Sequence, residues 1–177
     1  MTACIALIRG INVGRAKRIS MSELRQLHVR LGHQNVRTLL NSGNVLFDYE
    51  RPKAADIALA IQKAILKTFG FSAAVVVITA ANLAVIVREN PLLKIAVDPA
   101  RHVVAFVGQP SLLAALRPLM ELPWAPDVLA MGSRAAYLWC QEGLIASKLA
   151  RTFGRRAGET VTTRNWATVL KLLAASK

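Results

Sequence analysis

The chain has 177 residues, and its 54% hydrophobic content is enough for one core or for two small ones. Its formal net charge of +13 indicates polyanionic partners. The two cysteines, Cys4 and Cys140, lie far apart in apolar runs, so they offer neither a disulfide framework nor the spacing of a metal site, and we expect reduced, buried thiols.

A membrane partner is not expected. Residues 68–87 carry no charge and have about the length of a spanning helix. Glycine and polar residues interrupt this segment, and its apolar centre, residues 73–78, is short and valine-rich, as in a buried strand. Because the first eight residues have no basic leader, we do not expect them to be a signal peptide. We therefore expect a cytoplasmic protein.

The first half of the chain predicts the element order β-α-β-β-α-β. Ser20 and Glu23 form a capping-box pattern at a helix start, and Gly32 is a helix stop. The sequence Asn41-Ser42-Gly43 predicts a hairpin turn. The expected elements are a strand over 3–9, a helix between Ser20 and Gly32, strands over 35–40 and 44–49, a helix over 53–69 and a strand over 73–78.

The second half repeats this order after a linking helix over 80–88 and a helix breaker at 89–91. The expected elements are strands over 102–107, 127–131 and 135–140, helices over 111–120 and 144–153, an extended piece over 159–163, and a last helix with Trp166, Val169, Leu170 and Leu173 along one face. We therefore expect an α+β fold of two ferredoxin-like halves, residues 1–80 and 95–177, joined by a linking helix and loop over 81–94. The C-terminal helix elaborates the second half.

The charge is concentrated in two stretches. Residues 9–37 contain seven basic residues and one acidic one, a net +6, and residues 145–177 have the same count and the same net charge. Scattered solubility charge would be more even, although a basic stretch is often only a solvated surface. The concentration favours an anion-binding surface.

Three polar motifs lie in these stretches. RGINVG at residues 9–14 lacks the spacing of a P-loop, but it follows a strand and precedes a helix, so its N–H groups can bind an anion. SKL at 147–149 begins a predicted helix, where anions are favoured. In TTRNW at 162–166, we expect Thr163 to cap the last helix and Trp166 to lie in the core, while Arg164 and Asn165 have no evident structural role.

Catalytic groups are not evident. His28 lies on an apolar helix face, His33 and His102 have no neighbours at metal-ligand spacing, and neither cysteine is beside a base. The aromatic residues of the paired strands resemble, in placement, the stacking residues of RNA-binding sheets, but core packing is the favoured interpretation. These aromatic residues are Phe47, Tyr49, Tyr137 and Trp139. We expect no metal and no cofactor.

Four motifs together resemble the domain-of-unknown-function 1697 family. They are RGINVG with the I-x-M step at 19–21, VRT and SGNV within 36–45, SKL at 147–149, and TTRNW-x-TVLKLL at 162–173. The resemblance spans nearly the whole chain and implies two α+β halves, but it implies no activity. It groups motifs that lie at loops and helix ends, where function concentrates.

We therefore expect a basic site, formed by the RGIN, SGN, SKL and TTRN motifs, that binds a phosphate-bearing ligand, with nucleic acid favoured. The first alternative is an enzyme that acts on a nucleotide or another phosphorylated small molecule through positioning and electrostatics. The second is an interaction or structural protein with no anion site. The expected ligand-binding residues are Arg9, Asn12, Lys17, Ser42, Asn44, Ser147, Lys148, Arg164 and Asn165. The catalytic residues and the oligomeric state stay open.

Overall fold

A computed structural model describes residues 1–50 and 53–177. In these residues the chain forms two four-stranded antiparallel sheets and six α-helices, so the fold is α+β. The chain divides into two compact units. Unit 1 comprises residues 1–81 and 174–177, and unit 2 comprises residues 82–173.

Unit 1 contains the first sheet with two helices. Its elements are β1 (Thr2–Ile8), α1 (Met21–Arg30), β2 (Gln34–Leu39), β3 (Asn44–Tyr49), α2 (Ala54–Phe69) and β4 (Val75–Thr79). The strand order is β2-β3-β1-β4, with every neighbouring pair antiparallel. The core of this unit buries side chains of β1 and β3 with Leu24 of α1 and Ile61 of α2. From the strand order, the edge strands of this sheet are β2 and β4.

The ends of the two unit 1 helices are as the sequence predicts. Ser20 caps α1: its Oγ accepts a hydrogen bond from Glu23 N at 3.2 Å, and the Glu23 carboxylate accepts one from Ser20 N at 3.1 Å. Gly70 ends α2 in the left-handed conformation, with φ of +77°, and its N–H donates to the Leu66 carbonyl. The predicted capping box at Ser20 and the predicted end of the second helix at residue 69 are confirmed.

Unit 2 contains the second sheet. The remaining elements are α3 (Ala80–Arg88), β5 (His102–Val107), α4 (Pro110–Leu116), β6 (Val128–Met131), β7 (Ala135–Trp139), α5 (Lys148–Ala157), β8 (Val161–Asn165) and α6 (Trp166–Ala175). The strand order is β6-β7-β5-β8, again antiparallel throughout. Leu113 of α4 and Phe153 of α5 pack on one face of this sheet with Leu138 of β7.

Two helix predictions in unit 2 are wrong in their bounds. The helix expected over 111–120 ends at Leu116 and continues as a 3₁₀ turn, Arg117–Glu121, because Pro118 has no N–H for the α-helical ladder. The helix expected from residue 144 begins at Lys148, because Ser147 caps it. Ile145, which the prediction placed inside that helix, is 95% exposed.

The start of α6 also differs from the prediction. Thr163, the expected cap, is exposed and paired in β8 with Ala105 of β5. The cap is Asn165, whose Oδ1 accepts a hydrogen bond from Thr168 N at 2.9 Å. The buried face of α6 includes Trp166 and Leu172, whereas Leu170 is 43% exposed.

The paired-strand aromatic residues are packed, as the favoured interpretation predicted. Phe47, Tyr137 and Trp139 are buried. The Tyr137 hydroxyl donates a hydrogen bond to the Ile86 carbonyl at 2.7 Å, and burial raises the pKa of this phenol. These rings therefore stabilise the units and do not form an open stacking surface. No helix in the described parts of the chain is long and apolar enough to span a bilayer.

Candidate anion-binding site

The RGIN motif begins a loop, residues 9–19, whose backbone turns repeatedly into the left-handed region. Gly10, Asn12, Gly14 and Lys17 have φ angles of +69°, +58°, +62° and +52°. Glycine and asparagine adopt this conformation at the lowest cost. The loop also exposes its basic side chains, which are Arg9, Arg15, Lys17 and Arg18.

Asn12 holds this loop against the β2–β3 hairpin. Its Nδ2 donates to the carbonyls of Ile19 and Asn41, each at 2.9 Å, and its Oδ1 accepts from Ile19 N at 2.9 Å. The RGIN and SGN motifs therefore lie together in unit 1. Both amide hydrogens of Asn12 are used in these contacts, so its side chain positions the loop.

The SGN hairpin has a similar internal structure. Asn44 is fully buried, and its Nδ2 donates to the Leu39 carbonyl at 2.9 Å and to Ser42 Oγ at 3.0 Å. The Gly43 carbonyl accepts from Ile8 N at 2.8 Å, and a Cβ at residue 43 would lie 2.9 Å from the Ile8 oxygen. Glycine at 43 is therefore required for the hairpin to approach β1 this closely.

A cleft of about 550 Å³ lies beside the loop at the start of α1. Its lining residues are Asn12, Arg18, Ile19, Ser20, Met21 and Asn41. Arg18 is the cation among these residues. The Ser20 hydroxyl and N–H lower the pKa of the Glu23 carboxyl, so this helix start already carries a bound carboxylate. Lys17 is turned elsewhere, with its Nζ 3.0 Å from the Ser72 carbonyl oxygen.

In unit 2, Ser147 of the SKL motif has a structural role. Its Oγ accepts from Ala150 N at 2.9 Å, which caps α5, and donates to Asp127 Oδ2 at 2.6 Å. The other Asp127 carboxylate oxygen accepts from Gln141 N at 3.0 Å. Ser147 is also buried, so it links the start of α5 to the segment before β6.

Helix α5 presents a row of cations to solvent. We call Lys148, Arg151 and Arg155 the α5 row: they are exposed, and their spacing of three and four residues places them on one side of the helix. Arg151 also donates to the carbonyls of Ile145 and Ala146 at 3.0 and 3.1 Å. Among the described residues, none of the three forms an ion pair. The ion pair that the described structure contains joins Arg101 to Asp98.

The TTRN motif ends β8. Arg164 Nη1 donates to Thr162 Oγ1 at 2.9 Å and to the Thr163 carbonyl at 2.7 Å. Burial lowers the pKa of Arg164 to about 10, so the guanidinium is charged at neutral pH. Asn165 caps α6 through Thr168. The sequence interpretation found no structural role for Arg164 and Asn165, and the structure gives each of them one.

Two histidines form a contact that the sequence did not predict. The Nδ1 atoms of His28 and His33 lie 2.9 Å apart, and both rings pack against Phe47. Burial lowers the pKa of His28 to about 3 and that of His33 to about 4, so both are neutral at pH 7. The expectation that His28 is a packed residue is confirmed. In the described residues no three His, Cys, Asp or Glu side chains cluster as metal ligands would.

The chain is thus an α+β protein with two antiparallel sheets and exposed basic segments in both units. A family model described as "Protein of unknown function (DUF1697)" matches residues 1–137, and the chain belongs to this family. The matched residues include the RGIN and SGN motifs and end before SKL and TTRN.

The fold is shared with a solved bacterial structure. The conserved bacterial protein SP0830 from Streptococcus pneumoniae has a TM-score of 0.77 at 23% sequence identity, and the similarity covers 99% of each chain. At this identity the comparison shows the fold alone. No curated protein matches the chain in sequence.

Proposed function

We propose that the protein binds a phosphate-bearing polyanion, with single-stranded nucleic acid as the favoured ligand. The observation that carries this proposal is the α5 row, which holds three exposed cations without carboxylate partners in the described structure. At 1.5 Å per residue, the row is about 10 Å long, so a single strand that lies along it can place more than one phosphate beside its cations.

The exposed cations of the RGIN loop, with Arg9 first, add to this proposal. The nine residues expected to bind ligand divide into three groups on structural grounds. Asn12, Asn44, Ser147 and Asn165 hold loops and helix starts, so we assign them positioning roles. We propose that Arg9 and Lys148, which are exposed, contact phosphates, and that Arg164, Lys17 and Ser42 support the site. The meeting of all four motifs in one site stays a prediction.

The test compares two pairs of charge deletions in a titration of labelled single-stranded RNA. The variant K148A/R155A removes two cations of the α5 row. The control K63A/K67A removes two exposed cations from α2, so the net charge changes equally. We expect the first pair to weaken binding by about tenfold or more and the control to change it little. Equal losses of RNA affinity in both variants would mean that binding depends only on the net charge of the protein, which contradicts a site on α5.

A second candidate is a small phosphorylated ligand in the cleft beside the RGIN loop. The cleft volume of about 550 Å³ lies in the range of small-molecule sites, and Arg18 supplies a cation. A nucleotide that raises the melting temperature of the parent but not of Arg18→Ala would favour this candidate and an enzyme-like role. If neither RNA nor nucleotides bind, the protein has no anion site.

The finer fold assignment is also a proposal. Each unit has two helices inserted in a four-stranded antiparallel sheet of equivalent strand order, and this arrangement supports two ferredoxin-like domains divided near residues 80–95.

Cys4 and Cys140 are free and buried, which supports a reducing, cytoplasmic location.

A further inference from the structure

A groove runs between the exposed side of α1 and the edge strand β2. Its volume is about 460 Å³. The lining residues are Ser22, Arg25, Gln26, Val29 and Arg30 of α1 and Val36 of β2. We call this feature the α1–β2 groove. It lies within unit 1 and shares no residue with the α5 row, so it is independent of the function proposed above.

The β2 side of the groove is a sheet edge, and its contact with the C-terminal segment is made by a side chain: Arg37 Nη2 donates to the Ala175 carbonyl at 2.8 Å. β3 is the neighbour to which β2 pairs, and the pairing is regular over Arg37–Leu39. In the described part of the chain, β2 makes no backbone hydrogen bond to any other segment. In an edge strand every second residue directs its N–H and C=O away from the sheet, where another extended chain can pair with them.

The α1 side of the groove is apolar in the middle and basic around it. Val29 is 60% exposed and supplies an apolar surface in the middle of the groove. Arg25 and Arg30 are exposed beside it, and Arg25 Nη1 reaches to 3.5 Å from Thr38 Oγ1 on β2. None of the described residues that line the groove carries a carboxylate.

We propose that the α1–β2 groove binds an extended acidic peptide, which adds to β2 as a fifth strand. The peptide backbone would pair with the open edge, an apolar side chain would cover Val29 and Val36, and flanking carboxylates would meet Arg25 and Arg30. In this mode of binding, hydrogen bonds to the backbone of the edge strand supply affinity, and contacts with the side chains of the neighbouring helix supply selectivity.

Charge argues against a second copy of this chain as the occupant. A two-fold pairing of β2 with β2 would bring the arginines of one groove towards those of the other, and like charges across paired strands are destabilising. An acidic peptide meets the same surface with opposite charge. RNA is the other anionic class, but it offers no strand backbone to pair with the edge.

The probe is a short capped peptide of alternating Glu and Val, followed by amide NMR on the labelled full-length protein. We expect binding at about 1 mM or below, with shifts and slowed exchange of β2 amides over residues 36–39. Val29→Glu should weaken binding at least tenfold. Leu66→Glu, which adds the same charge at a half-exposed site on α2, should leave it unchanged.

Three results would overturn the proposal. The first is no binding of the Glu–Val peptide. The second is equal binding of a Lys–Val peptide or of a peptide N-methylated along one edge. The Lys–Val peptide lacks the carboxylates that should meet the arginines, and the N-methylated peptide lacks the backbone N–H groups that should pair with β2. The third is protection of the β2 amides by single-stranded RNA in place of the peptide. Loss of RNA binding at the α5 row would leave the peptide result unaffected, so the two proposals fail separately.

Discussion

The Nδ1 atoms of His28 and His33 lie 2.9 Å apart in unit 1, so one ring donates a hydrogen bond to the other. His28 is fully buried, and its Nε2 has no hydrogen-bond partner among the described residues. An unpaired buried N–H is rarer in native proteins than an under-satisfied acceptor. We therefore infer that His28 donates from Nδ1 and that the proton of His33 is on Nε2. His33 is one of the residues that line a small cleft of about 240 Å³.

This pair predicts loss of stability in mild acid. The folded pKa values of about 3 and about 4 lie below the ordinary value of 6.5, so the unfolded chain takes up protons first as the pH falls. Stability is complete above about pH 6.5 and falls as the pH drops to about 4 for the His33 contribution and to about 3 for that of His28. At pH 5, His28 alone should cost about 2 kcal/mol of unfolding free energy.

The measurement is urea unfolding at pH 7 and pH 5. Carboxyl groups with lowered pKa, such as that of Glu89, lose their contribution mainly below pH 4.5, outside this interval. The control is His28→Gln, which can still bond His33 but does not titrate. It should lose less stability between the two pH values than the parent does. An equal loss in both proteins would contradict the assignment.

The sequence predicted the elements with local signals. The capping box at Ser20, the Asn-Ser-Gly turn and the end of α2 at residue 69 depend on a few neighbouring residues, and the structure has all three. The predicted capping residue of α6 was wrong because threonine and asparagine are both good caps, and Thr163 and Asn165 both lie near the helix start. The pairing of Thr163 with β5 decides between them, and a local pattern does not contain that contact.

The candidate site was harder to predict for a related reason. Polar residues at loops and helix ends indicate ligand contacts, yet the Asn12 side chain bonds a carbonyl 29 residues away, and the Ser147 side chain bonds an aspartate 20 residues away. A sequence does not show whether an amide or a hydroxyl is used inside the fold. The His28–His33 contact was missed because it joins a helix to the residue after its glycine stop, where helical spacing no longer applies.

Trp166 should prove structural. It is 7% exposed, and its ring stacks on His102 with centroids 5.0 Å apart. Trp166→Ala should lower the unfolding free energy by about 3–5 kcal/mol because it leaves a large cavity. Leu170→Ala, on the exposed side of α6, should cost far less. A Trp166→Ala protein that melts like the parent but no longer binds RNA would make Trp166 a contact residue.

The capping role of Asn165 predicts a difference between neighbours in TTRN. Asn165→Ala should cost about 1 kcal/mol, because the Thr168 N–H loses its acceptor at the start of α6. Thr163→Ala, at an exposed strand position, should cost less than half as much. Chemical denaturation of the two variants gives the comparison. If Thr163→Ala is the more damaging change, the cap assignment is wrong.

The proposed polyanion site predicts a steep dependence of affinity on salt. Cations that contact phosphates release condensed counterions, so the logarithm of the RNA binding constant should fall linearly with the logarithm of the salt concentration. For single strands the slope is about −0.7 per phosphate contact, so four to six contacts give roughly −3 to −4. Lys148→Ala and Arg155→Ala should each make the slope about 0.7 less steep.

The control for this prediction is Lys63→Ala, which removes one exposed cation from α2. Its slope should equal that of the parent, since a cation that meets no phosphate releases no counterion when RNA binds. The binding constants are measured by fluorescence anisotropy at several salt concentrations, with each variant first checked for an unchanged melting temperature. A slope that none of the three substitutions alters would mean that RNA is attracted by the overall charge of the chain. The α5 row would then have no part in binding.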